Sequence, residues 1–165
     1  MYIRAPNQVL PAILTALLVL VSSTAWSHGT SYGRLTIDHP YAVLSQDRTA
    51  ASVFFRDLVN RGQETFVITG AQTAVAEFAT LQTETHSSDH VQQWIDVESI
   101  AIGPKASVLF RHNHESGYRI YLTGLKRELK NRDRFDLTLT FGDGGQKTVD
   151  VWVQTPRVRA RPHTH

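Results

Sequence analysis

The chain has 165 residues, no cysteine, one methionine and a formal net charge of +2. One domain is the expectation for that length, with no disulfide and no thiolate for metal binding or nucleophilic catalysis. The near-balanced charge gives no reason to invoke nucleic acid.

The first 27 residues have the pattern of a cleaved export signal. Arg4 supplies a basic start, Val9 to Val21 is an apolar run broken by Pro11 and Thr15, and small residues follow at Ser22 to Ala25. The run is short for a membrane span and no second one follows, so release is expected rather than anchoring. Ser23-Thr24-Ala25 permits a cut before Trp26, and Ala25-Trp26-Ser27 permits one before His28. Either leaves about 140 residues, enough for one core. The removed segment carries Arg4 and no acid, and it takes the only methionine, Met1, with it. The mature protein then contains no sulfur.

Strand patterns dominate beyond residue 30. Leu35 and Ile37 alternate with polar neighbours and lead to His39-Pro40. Ala51 to Val59 is rich in Val and Phe, Asn60-Arg61-Gly62 is a turn, and Thr65 to Ile68 returns. Phe78 to Thr85 and Val91 to Ile102 are further strands, the second ending at Gly103-Pro104, and Ser107 to Phe110 is a short apolar one. Tyr118, Ile120 and Leu122 alternate with Arg119 and Tyr121, which places the two sets on opposite faces. Arg134 to Phe141 and Thr148 to Val153 flank Gly142-Asp143-Gly144-Gly145, a strong hairpin turn. Short helical turns are expected at Ala74 to Ala79 and Lys126 to Lys130. Many short strands between Gly, Pro and Asn turns argue for an antiparallel sandwich or barrel. Residues 155–165 are a basic, His-containing tail expected to be disordered.

Several stretches carry a likeness to a known family. They are Gly33-Arg34-Leu35-Thr36-Ile37-Asp38-His39-Pro40-Tyr41-Ala42, Thr69-Gly70-Ala71, Gly117-Tyr118-Arg119-Ile120-Tyr121-Leu122-Thr123-Gly124-Leu125-Lys126 and Asp136-Leu137-Thr138-Leu139-Thr140-Phe141. In these the chain resembles the PCu(A)C family of periplasmic copper chaperones. The likeness spans residues 28–154 and implies an all-β, cupredoxin-like antiparallel Greek-key β-sandwich there, a periplasmic location, and a role with copper-site assembly proteins or cytochrome c oxidase. It also implies a Cu(I) site made by a His, a Met and a later His-x-Met. Those positions hold Gln82 (or, with a gap, His86), Gln92 or Trp94, and Arg119 with Tyr121. Gln and Tyr are poor Cu(I) ligands, and Arg is a permanent cation that repels a metal. Trp94 and Tyr121 are read as packing, and Arg119 as pairing with Asp89, Glu84 or another nearby acid.

Imidazole nitrogen is the remaining donor. His86 and His90 precede one strand, and His112 and His114 precede another, so the two pairs flank the altered positions. They are a candidate nitrogen site for copper, with Cu(II) favoured over Cu(I), or for zinc. His28 is a second candidate. A cut before it makes its amine and imidazole a chelating pair, and a cut before Trp26 gives a third-position imidazole behind a free amine. His163 and His165 are tail residues, and His39 is read as part of the framework. No nucleophile elbow or phosphate loop is present, so the expectation is a non-enzyme. A copper-handling protein is the favoured function; the alternative is a metal-free relative acting as a protein-interaction module.

Overall fold

The computed structural model describes residues 29–86, 92–110 and 117–155. The expected signal segment and nearly all of the expected tail lie outside them. Among the described residues the secondary structure is eleven strands: β1 (Thr30–Tyr32), β2 (Leu35–Leu44), β3 (Ala51–Asn60), β4 (Phe66–Gln72), β5 (Ala76–His86), β6 (Gln92–Asp96), β7 (Ile100–Ile102), β8 (Ser107–Phe110), β9 (Tyr118–Leu125), β10 (Arg134–Phe141) and β11 (Gln146–Gln154). The hydrogen-bonded order is β6-β5-β9-β3-β2-β11-β10-β4-β7, with β1 added to β2 and β8 to β3.

The alternation seen in the sequence becomes burial. Leu137, Leu139, Phe141, Val149, Val151 and Val153 are buried, while Asp136, Asp150 and Trp152 between them are exposed. They join Leu35, Ile37, Val53, Phe55, Ile120 and Leu122 in one core. Burying such side chains contributes about 1.5–3 kcal/mol each. Phe55 meets Phe110 edge to face at 5.0 Å, and Tyr32 stacks on Phe141 at 4.1 Å. The Tyr32 hydroxyl donates to Asp143 in the β10–β11 turn, which ties the short β1 to the far hairpin.

Three details depart from the sequence reading. β2 and β11 run parallel, pairing Trp152 with Tyr41, so the sheet is mixed rather than wholly antiparallel. The period-two run from Val91 is two strands, because the chain leaves β5 after Asp96 and joins β4 at Ile100. The expected helical turn at Ala74 to Ala79 is mostly β5, and residues 126–130 form no helix. Backbone pairing with β9 consumes the first of these, since Ala76 is already opposite Leu125.

Candidate metal centre

The strand register gathers the altered ligand positions. On β5 and β9, Gln82 is opposite Arg119 and Thr80 opposite Tyr121; on β5 and β6, Gln82 is opposite Asp96 and Glu84 opposite Trp94. Directly opposed residues share a face. The guanidinium of Arg119 occupies the centre of this group. Its Nε donates to Gln82 Oε1 at 2.7 Å and its Nη1 to Ser52 Oγ at 3.2 Å. Its carbon lies 4.2 Å from the Trp94 ring centre and 4.4 Å from that of Tyr121. Gln82 in turn donates from Nε2 to Asp96 Oδ1 at 2.8 Å.

This arrangement serves a cation, and the cation is built in. Burial is the leading influence on Arg119 and lowers its pKa, opposed by Tyr121, Asp96 and Glu84, whose charges favour the protonated form. A guanidinium starts so high that it stays charged. Gln82 spends its carbonyl oxygen on Arg119, and Trp94 offers no lone pair. These residues do not fit a copper ion. Arg119 therefore binds an amide and a hydroxyl and two ring faces directly, with the acid Asp96 reached through Gln82. Gln92 has its backbone opposite His86, and Trp94 is the one of the two candidates seen beside the cluster.

The proposed histidine ligands are less fully placed. His86 ends β5, with only its backbone described. His90, His112, His114, His28, His163 and His165 lie outside the described residues. The segment bearing His112 and His114 enters β9 at Gly117, whose carbonyl accepts the Glu84 amide at 2.9 Å. Both His-bearing connections thus meet the sheet at the same end, two residues from His86. Among the described residues, no three His, Cys, Asp or Glu side chains gather to hold a metal ion.

His39 does not behave as a packed framework residue. Its φ is +42°, its side chain is 41% exposed, and its Nδ1 lies 2.5 Å from Asp38 Oδ1. Arg56 approaches the other Asp38 oxygen at 3.5 Å. Gly29 lies against the same carboxylate: a Cβ there would meet Asp38 Oδ1 at 3.1 Å. β1 and β2 pair antiparallel, with Thr30 opposite Ile37. The adjacent Asp38-His39 pair was the sequence signal for this feature.

A family profile described as "Putative lipoprotein LpqE-like" matches residues 35–153. The chain belongs to the LpqE-like family. Curated proteins yield no match to it. Among solved structures, the LpqE-like chain is similar to "Copper-bound PCuAC domain from PmoF2", with a TM-score of 0.62, 19% identity, and 78% and 99% of the two chains covered. It is also similar to apo-DR1885 from Deinococcus radiodurans, at TM-score 0.56 and 22% identity over 95% and 98%. The CuI-DR1885 solution structure matches at 0.57 and 23% over 70% and 75%. At these identities the likeness establishes the fold, which is the cupredoxin-like PCuAC fold. In the LpqE-like chain that fold carries Arg119 and its aromatic neighbours on β6 and β9, with Gln82 on β5 and Asp38-His39 on β2.

Proposed function

We propose that this LpqE-like protein is an exported copper-handling protein that binds the metal through nitrogen ligands, away from the position closed by Arg119. The observation that carries the reading is the β1–β2 register. One further pair in that register would set Gly29 opposite Asp38, the neighbour of His39. The approach of Gly29 to the Asp38 carboxylate agrees with this. A signal cut before His28 would supply a free amine and imidazole one residue before Gly29. These two nitrogens, with the His39 imidazole as a third, would suit the tetragonal preference of Cu(II). His86, His90, His112 and His114 would be a second nitrogen group, carried by the end of β5 and by the connections that lead from it and into β9.

Export rests on the signal-like segment and on the lipoprotein wording of the family description. The described residues contain no helix long and apolar enough to cross a membrane. A carrier role, handing copper to assembly proteins or to cytochrome c oxidase, is the finer form of the reading. It draws on the family resemblance and on the copper-bound domain among the similar structures.

The test compares Cu(II) binding, under chelator competition, in the secreted protein and in four variants: one alanine placed before His28, His39→Ala, and the pairs His86→Ala/His90→Ala and His112→Ala/His114→Ala. Loss of one-to-one binding on blocking the amine and on His39→Ala supports the N-terminal site. Loss only in the paired variants moves copper to the sheet end. A second reading, a metal-free interaction module, is favoured by the guanidinium at the cluster centre, and binding by none of the proteins would establish it.

A further inference from the structure

An open groove of about 600 Å³ begins at Tyr121, beside the Arg119 cluster, and is lined by Arg48, Thr123, Leu125, Arg127 and Glu128 among others. Gly124 also lines it, at φ +64°, and a Cβ there would meet Glu77 at 2.8 Å. Phe78, opposite groove residue Thr123, is 59% exposed, the largest exposure among the large apolar side chains described. Directly opposed strand residues share a face, so the Phe78 ring stands on the face that carries Thr123 and Tyr121.

The charge around the groove is one-sided. From Lys126 to Arg134 five basic residues stand against Glu128 and Asp133, an excess of three, while the whole chain is only +2. Arg48 adds to this turn from across the groove; the other basic cluster, Arg157, Arg159 and Arg161, belongs to the tail, outside the described residues. Arg48 is held in place by Nη2 donating to the Leu129 carbonyl at 2.9 Å, on a backbone at φ +60°. Glu128 sits within 3.9 Å of Arg48 and 3.7 Å of Lys130, so the positive field is broken into fixed points. An anionic lipid surface is served by an unbroken basic patch. Arg127 likewise donates to Asp133 Oδ2 at 2.9 Å, so each groove cation is fixed by an acid at its side. Separate, fixed cations beside an apolar groove suit spaced carboxylates on a peptide chain.

We propose that this groove docks an extended acidic segment of a partner protein, with an aromatic or aliphatic side chain against Phe78 and Tyr121 and carboxylates at Arg48 and Arg127. The proposal is independent of copper binding.

The probe is a fluorescein-labelled peptide of about ten residues, rich in Asp and Glu around one central Phe, read by anisotropy with the full mature protein. Binding should weaken as salt rises, because exposed charge pairs are screened. Arg48→Glu and Phe78→Ser should each weaken it about tenfold, the worth of one anchoring contact. Phe78 is exposed, so its variant tests the groove without risk to the core, and unchanged melting confirms the fold. A peptide with Lys and Arg in place of the acids should bind at least tenfold less tightly. Equal binding of the two peptides, unchanged affinity in both variants, or capture by phosphatidylglycerol vesicles with no peptide binding would each overturn the proposal.

Discussion

Removing the Arg119 guanidinium should loosen the β5–β6 hairpin measurably. The side chain makes two hydrogen bonds, to Gln82 and Ser52, and covers the faces of Trp94 and Tyr121. A cation over an aromatic face contributes about 0.5–1 kcal/mol when exposed and about 2 when desolvated; half-burial puts each of these near 1. A hydrogen bond from a charged donor adds about 1.5 kcal/mol at the low end of its range, and solvent access at this half-buried site brings each nearer to 0.5–1. Arg119→Ala should therefore cost about 3 kcal/mol, or roughly 10 °C in Tm for a domain of this size. Arg119→Lys keeps the charge but loses the planar fork, and should fall between the two. Thermal and urea unfolding of the three proteins measure this. A loss under about 1 kcal/mol for alanine, or a lysine variant equal to wild type, would refute the view that a shaped, planar cation organises this face.

Other expectations follow from local geometry. Gly124→Ala places a Cβ 2.8 Å from that of Glu77 on a backbone at φ +64°, and should lower stability by about 1–3 kcal/mol in urea melts. Phe55→Ala empties a fully buried position against Phe110 and should cost about 3–5 kcal/mol, with Cu(II) affinity of the remaining folded protein unchanged. Asp143 has its pKa lowered, first by the Gly145 amide and then by the Tyr32 hydroxyl; Asp47 and Asp133 are lowered by hydrogen bonds as well. Depressed carboxylates favour the folded state above the ordinary carboxylate range, near pH 4, and that contribution is lost as pH falls through their folded values. Urea midpoints should thus drop below about pH 4, and Asp143→Asn should make the drop shallower; an identical slope would count against that role.

Much of the framework was legible because a strand with one buried face writes its period into the sequence. Arg134 to Phe141 has the bounds of β10, and the opposed faces of Ile120 and Leu122 against Arg119 and Tyr121 hold as read. Alternation carries no direction, so the parallel pairing of β2 with β11 was hidden. Nor does it mark a change of partner, so β6 and β7 looked like one run. The cluster around Arg119 was half visible: the altered residues were identifiable, but the acceptors Gln82 and Ser52 come from two neighbouring strands and depend on register. The setting of His39 was not legible, because a conformation at positive φ leaves no periodic trace, and only the fold shows its ring beside Asp38.

The most direct measurement is a paired titration of the secreted protein, with its natural N-terminus, against Cu(II) and Cu(I) under chelator competition. The account predicts tight one-to-one Cu(II) binding that needs the free amine of His28, and no Cu(I) site at Arg119, Tyr121, Gln82 and Trp94. Tight Cu(I) binding that disappears when those four residues are altered, with no Cu(II) binding, would contradict it.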